Sequence, residues 1–379
     1  MDFVLTEEQT MIQDMAYKFA KNEFEPIAKE CDREEKFPRE LLKKAAENGL
    51  VGIFIPEEYG GPGLGFTEIA LVNEQFCRVD SGLALCIVAS TFGSENILFF
   101  GTEEQKQEYL PRLTDGSSMC AGAYTEPNAG TDVSGYRTQA KKDGGDYIIN
   151  GNKMFITNGT ICEFMVVSCI TSPDERSIHK RMSLIVVDAD TPGITKTKIH
   201  GKMGIRATDT AEIAFEDVRV PQSHLVGAEG SGFHQLMHFF DCTRCMVAAQ
   251  GLGLAQGAFE KTVEYVQQRE AFGQPLFGFQ AVQFDLAEMA LLIELQRNIT
   301  YKAAWKTDQG EIDPSLNAMA KLNAGLTATK VADLAVQLHG GYGYIDEYDV
   351  QRFYRDAKIL DIYEGVKAAE KMTIARRLV

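Results

Sequence analysis

Positive charge is scarce in this chain of 379 residues: 38 lysines and arginines stand against 54 aspartates and glutamates, a net charge of −16. A molecule of that sign repels a phosphate backbone, so nonspecific nucleic-acid binding is not expected. A local basic groove for a small anionic ligand remains compatible with it. No apolar run reaches the ~20 residues that span a bilayer, so membrane insertion is not expected either. The opening residues, Met1-Asp2-Phe3-Val4-Leu5-Thr6-Glu7-Glu8, lack the basic and then apolar pattern of a signal peptide and the Arg/Ser bias of a transit peptide. A cytoplasmic protein is expected. Only Cys242 and Cys245, of eight cysteines, form a Cys-x-x-Cys pair. No second pair completes a four-cysteine zinc site, and the surrounding sequence is helix-forming. His234 and His238 share a helical face without the glutamate of a His-Glu-x-x-His site. No metal is expected.

Apolar residues make up 45% of the chain and charged residues 24%, ordinary values for a globular protein with room for two or three cores. The sequence grammar changes twice. Residues 1–118 read as helical: Thr6 caps a first helix whose spacing runs through Met11, Met15, Tyr17 and Phe19. Residues 55–65 are a Gly/Pro-rich loop. They lack both a preceding strand and a following Gly-Lys-Ser/Thr, so they read as a connection, not a phosphate loop. Residues 119–228 carry short apolar runs such as Phe164-Met165-Val166-Val167 and Leu184-Ile185-Val186-Val187, with Asn150-Gly151 as a hairpin signal. They predict a small all-β domain, a barrel or a sandwich. Residues 229–379 return to the helical period and predict a four-helix bundle, with its fourth helix over 364–379. The fold class is α+β and multidomain.

Several segments could carry chemistry. In Ile362-Tyr363-Glu364-Gly365 a carboxylate follows two apolar residues; loss of hydration would raise its pKa and make it a better base. Gly365 lets the backbone approach a ligand closely or take a positive φ. A plain surface glutamate is the bland alternative. Tyr124-Thr125-Glu126-Pro127 and Lys153-Met154-Phe155-Ile156-Thr157 end strands in turns rich in hydroxyls and backbone donors, which can meet a flat heteroaromatic ring. Turns without a ligand are the alternative for each alone. Arg269, beside Phe272-Gly273, suits a pyrophosphate.

Seven segments taken in order resemble the acyl-CoA dehydrogenase family over the whole chain: residues 55–61, 124–133, 154–159, 215–221, 269–273, 337–343 and 362–365. The resemblance implies a helical domain, a β-barrel and a helical bundle with FAD clamped among them, in a homotetramer built as a dimer of dimers. It implies that Tyr124 and Thr125 border the flavin, that Phe155 and Thr157 lie at its other edge, and that Arg269, Phe272 and Gln280 reach FAD across a subunit interface. Gln337 and Gly341 would hold the same pyrophosphate and adenosine half. Thr131 replaces the serine that usually touches CoA, and Asp241 and Arg244 would line the acyl-CoA channel. Glu364 matches the catalytic base, which takes the α-proton of a saturated thioester while the β-hydrogen leaves as hydride to flavin N5. Donors on the thioester oxygen, a ribityl hydroxyl and the N–H of the base itself, would stabilise the enolate-like transition state.

The chain departs from the family where Thr-x-Glu/Gln usually follows the Glu-Gly pair; here Val366 and Ala368 cannot make the usual contacts to FAD. One branch places its base on the helix of Arg244, but the neighbour there is Thr243, no acid. Glutaryl-CoA members place an arginine near residues 81–85, absent here, which disfavours a dicarboxyl substrate. Leu83, Leu85, Ile87, Val88 and Thr91, with Tyr363, imply a mostly apolar acyl pocket. Members acting on cyclohexane carboxylate esters also look similar, so straight short-to-medium chains and alicyclic or branched acyl groups stand level. The resemblance implies electron-transferring flavoprotein as acceptor. Reverse operation as an enoyl-CoA reductase, a non-catalytic relative and an oxidase are the alternatives.

Overall fold

Thr6 caps the first helix as its sequence predicts. Its hydroxyl accepts from the Gln9 N–H at 3.1 Å while Gln9 Oε1 accepts from the Thr6 N–H at 3.1 Å. The computed structural model describes residues 4–378. Its N-terminal part consists of α1 (Glu7–Glu23), α2 (Ala28–Glu34), α3 (Arg39–Glu47), α4 (Phe66–Val79), α5 (Ser81–Val88), α6 (Ser94–Phe100), α7 (Glu103–Tyr109) and α8 (Pro111–Thr114). Residues 55–65 are the expected connection between α3 and α4. The buried face of α1 differs in part from the expected one. Met11 and Met15 are exposed, whereas Tyr17 and Phe19 pack against the core beside Ala16, Ala20 and Phe24. Small residues let α1 lie close to α4, where Phe24 meets Phe76 edge-on at 5.2 Å.

The middle part is an eight-stranded sheet: β1 (Cys120–Ala123), β2 (Gln139–Asp143), β3 (Asp146–Thr157), β4 (Phe164–Ile170), β5 (Met182–Asp188), β6 (Ile194–Lys198), β7 (Thr210–Pro221) and β8 (Leu225–Val226). Pairing runs β6-β7-β3-β2-β4-β5-β8, with β1 parallel to β4. Asn150-Gly151 is not the predicted hairpin turn. It lies inside β3, at a bulge in the register with β7, and the β2–β3 hairpin turns at Gly144-Gly145 instead. The reason is tertiary. Asn150 exchanges hydrogen bonds with Asp217 on β7, and Thr138 lies so close to Gly151 that a Cβ there would stand 2.6 Å from the Thr138 Cα.

Three long helices make the C-terminal bundle: α9 (Gly232–Gln268), α10 (Gln280–Asp308) and α11 (Pro314–His339). A small hairpin of β9 (Glu270–Ala271) and β10 (Gln274–Pro275) joins the first two. The expected fourth helix is shortened to α13 (Lys367–Ala375), behind α12 (Val350–Ala357). It starts late because Glu364 and Gly365 take φ of +53° and +111°, which no right-handed helix accommodates. The fourth long neighbour of α9 is α4, so the bundle and the N-terminal domain share a core. Among the described residues no helix is long and apolar enough to cross a membrane.

Candidate active site

Glu364 sits in the left-handed turn between α12 and α13, beside α9. Thr243 on α9 donates its hydroxyl to Glu364 Oε2 at 2.7 Å. Burial pushes the Glu364 carboxyl up, while the Thr243 hydrogen bond and the Arg244 and Lys321 charges pull it back. Three anchors hold the turn. The Tyr363 hydroxyl donates to Gln250 Oε1 on α9, which draws that ring into the bundle. Lys321 Nζ on α11 donates to the Gly365 carbonyl. Gly365 itself leaves no room for a side chain, because a Cβ there would overlap Oε1 of Glu370. Arg244 is fixed between Asp241, at 2.5 Å from Nη1, and Glu370, at 3.2 Å from Nε.

Tyr124 links this turn to the sheet. It is buried at the end of β1, accepts from Asn96 Nδ2 at 2.9 Å and packs edge-on against Phe239 of α9 at 5.7 Å. Next to it, Glu95 is buried with its carboxylate on the Gly93 N–H at 2.8 Å, and it lies near enough to Glu364 for the two charges to repel. Burial pushes the Glu95 carboxyl up to about 8. The Thr125 carbonyl accepts from the Met154 N–H at 2.8 Å, which brings the Tyr124-Thr125 turn beside Phe155. Below both, buried Lys153 donates to the Tyr124 carbonyl at 3.0 Å and to Glu126 at 2.9 Å. Phe155 is exposed with φ of +60°, and Thr157 closes β3 opposite Thr210. The sequence therefore names neighbours here.

A separate groove of about 480 Å³ runs between α9 and the end of α11, with Arg269, Gln337, Gly340 and Gly341 among its lining residues. Arg269 lies over the Tyr342 ring at 5.5 Å. Phe272 and Gly273 form a tight turn with φ of +52° and +81° between β9 and β10, and Phe272 is 96% exposed. Gln280 starts α10, where Phe279 meets the Phe272 ring edge-on at 6.1 Å. Thr131 lies on the exposed loop before Asp132, and Thr91 is buried between α5 and α6. Leu83 and Ile87, read as pocket lining, are packed in the core that joins the N-terminal helices to the sheet.

Sequence reasoning missed Glu95, Lys321 and Glu370. All three are almost fully buried charged residues, at 4%, 1% and 0% exposure. The one signal available was an acid set among small and apolar residues, as in Ala368-Ala369-Glu370. Many surface helices share that pattern.

Family models cover nearly the whole chain in order: acyl-CoA dehydrogenase N-terminal domain over residues 6–117, middle domain over 121–218 and C-terminal domain over 230–379. The chain belongs to the acyl-CoA dehydrogenase family. Members are FAD-dependent oxidoreductases. An acryloyl-CoA reductase (NADH) of Anaerotignum propionicum is 43% identical over all of this chain and 96% of its own. The butyryl-CoA dehydrogenase structure from Megasphaera elsdenii superposes with a TM-score of 0.95 at 38% identity, covering both chains completely. A chain from a structure described as the electron transferring flavoprotein of Acidaminococcus fermentans superposes at 0.97, with 42% identity and full coverage of both. The residues present suit the cofactor of this dehydrogenase family. The Arg269 groove offers a guanidinium beside Gly340 and Gly341, where none of the described residues stands within 4 Å of an added Cβ, so a pyrophosphate could lie directly on the backbone. The Val366 side chain, at the start of α13, offers no polar contact, although its carbonyl accepts from the Glu370 N–H at 3.1 Å.

Proposed function

We propose that this enzyme dehydrogenates a saturated short- to medium-chain or alicyclic acyl-CoA at its α and β carbons, with Glu364 as the base. The observation that carries the reading is the position of Glu364. It is a carboxylate held by Thr243 at one oxygen, raised in pKa by burial and locked in a left-handed turn beside Tyr124. One oxygen of the carboxylate is committed to Thr243, and the other is left to receive a proton. The α-proton of a thioester is only weakly acidic, so removing it needs a base near working pH and donors on the thioester oxygen. Among the described residues no backbone acceptor takes the Glu364 N–H, which leaves it available as one such donor. Arg244 and Asp241 would border the acyl-CoA channel, and Thr131 the CoA. FAD, when bound, supplies the acceptor for the β-hydride. Tyr124, Thr125, Phe155 and Thr157 would border its ring system. Arg269, Phe272 and Gln280 are assigned to FAD across a subunit interface in a homotetramer, with Gln337 and Gly341 on the same pyrophosphate and adenosine half. Electron-transferring flavoprotein is the proposed electron acceptor, supported by the likeness to the Acidaminococcus fermentans chain.

A second reading, reduction of a 2-enoyl-CoA, is favoured by the acryloyl-CoA reductase relative. Glu364 would then return the α-proton. One anaerobic experiment separates the two. The yellow holoenzyme is titrated with butyryl, octanoyl, isobutyryl, cyclohexanecarboxyl and glutaryl esters of CoA, and the dithionite-reduced enzyme with crotonyl-CoA. Bleaching by a saturated ester supports dehydrogenation and identifies the acyl class. Reoxidation by crotonyl-CoA with no bleaching by any saturated ester supports the reductase. Glu364→Gln should keep the colour and lose at least about a hundredfold in turnover. Turnover close to wild type in that variant would remove Glu364 from the role.

A further inference from the structure

Behind the Glu364 turn lies a second carboxylate that the proposed reaction does not use. Glu370, one turn into α13, is completely buried. Its Oε1 takes Arg244 Nε at 3.2 Å, and its Oε2 has no hydrogen-bond partner among the described residues. Arg244 and Lys321 are the two cations that stabilise the ionised form of Glu364, and the same two stabilise the ionised form of Glu370. The Gly365 backbone separates the carboxylates, touching Glu370 Oε1 on one side and receiving Lys321 Nζ on its carbonyl. We propose that Glu370 is a positioning residue that sets the basicity of Glu364, because the two carboxylates divide the buried charge of Arg244 and Lys321 between them. This inference rests on Glu364 being the base.

The argument is electrostatic. Two cations serving one carboxylate would hold it ionised and make it a weak base for a carbon acid. Glu370 occupies part of that positive potential and leaves Glu364 with the remainder. Burial pushes the Glu370 carboxyl up to about 7, Arg244 and Lys321 pull it back, and the Glu364 charge adds to the rise, so the two carboxylates act on each other across the Gly365 backbone. The other groups facing Glu364 do not fill this place. Glu95 on α6 repels Glu364 but rests on the Gly93 N–H, with neither Arg244 nor Lys321 acting on it, and Tyr124 is held by Asn96. Asp241 on α9 is engaged with Arg244 at its far end, Asp361 with Lys358 and Lys367, and Tyr363 with Gln250.

The test is the pH dependence of kcat/KM for the holoenzyme, using whichever saturated ester bleaches the flavin. Activity rises with pH as Glu364 loses its proton, so the acid limb reports its pKa. In Glu370→Gln the share of both cations that Glu370 held acts on Glu364, while Asp241 keeps its own hold on Arg244. The limb should move to lower pH by about one pH unit, and the plateau kcat should fall because the base is weaker. In Lys321→Gln, which keeps a donor for the Gly365 carbonyl, the limb should move to higher pH. A Glu370→Gln enzyme that loses activity equally at every pH, with its limb where wild type has it, would reduce Glu370 to a brace and overturn the proposal. If Glu370→Gln does not fold, Lys321→Gln decides alone, and an unmoved limb there overturns it. Glu364→Gln, run beside them, tests the underlying reading. Wild-type turnover with an unchanged limb in that variant means Glu364 is not the base, and the proposal falls for that separate reason.

Discussion

A glutamate in the left-handed region costs about 1–2 kcal/mol relative to ordinary backbone, and Glu364 carries φ of +53°. Phe155 and Phe272 share that strain, so three of the seven non-glycine residues with positive φ among the described residues are ones the sequence singles out. The surroundings sustain the strain at Glu364 through Tyr363 on Gln250 and Lys321 on the Gly365 carbonyl. Glu95 shows a different cost at the same scale. It is 4% exposed, and burial holds its carboxyl at about 8, against an ordinary value of 4.5. A carboxyl whose folded pKa is raised favours the folded state while protonated. That stability is fully present below about 4.5 and is lost as pH rises through about 8. The loss amounts to about 3–5 kcal/mol. Glu95→Gln stays neutral and still offers an oxygen to the Gly93 N–H. It should melt close to wild type at pH 5 and clearly above it at pH 8.5. A melting-temperature gap that does not widen with pH would mean that Glu95 ionises in place at no cost.

At the scale of elements, what the sequence reveals depends on how local the signal is. The capping box at Thr6, the helical period of α9, α10 and α11 and the apolar runs of β4 and β5 are set by neighbours in the chain, and they were readable. Asn150-Gly151 was misread because a hairpin turn and a bulge use the same two residues, and only Asp217 and Thr138 decide between them. The buried face of α1 was legible at Tyr17 and Phe19 but not at Ala16 and Ala20, because alanines carry little hydrophobic signal. Arg244, Lys321 and Glu370 could not be grouped in advance, since Arg244 and Glu370 bond across 126 positions. The α4–α9 crossing is another hidden feature. Gly253 and Gly257 of α9 face the carbonyls of Glu74 and Arg78, and a Cβ at either glycine would overlap the facing oxygen. Alanine at Gly257 would gain about 1 kcal/mol of helix propensity. Forcing two backbones apart in a packed core costs more, so a net loss of about 1–3 kcal/mol is expected. Urea midpoints of Gly257→Ala measure it. A stabilised variant would show that α4 and α9 can separate freely.

For the molecule as a whole, the outer surface of α10 is the feature a single chain leaves unexplained. Phe284, Leu291 and Leu295 are 63%, 59% and 56% exposed, and their spacing of seven and four residues puts them on one helical face. Phe272, nearly fully exposed on its strained turn, lies at the N-terminal end of the same helix. An apolar stripe of this length on an otherwise acidic protein is costly in water and gains by meeting another apolar surface. A second copy of the chain is the partner the proposed tetramer supplies, with Arg269, Phe272 and Gln280 brought to a neighbour's FAD. Assembly and cofactor retention should then fail together. Leu291→Asp puts a charge in the middle of the stripe, away from the core residues Leu286, Met289 and Ile293 on the opposite face. The variant should elute from a sizing column as a smaller species than wild type and lose FAD on dilution, with its helical circular dichroism unchanged. Adding free FAD should restore the yellow colour only in proportion to the species that reassembles. A variant that stays as large as wild type would show that the α10 stripe is not the contact. A smaller species that keeps its FAD through dilution would separate the two functions, leaving the cofactor to the groove of Arg269, Gln337 and Gly341 within one chain.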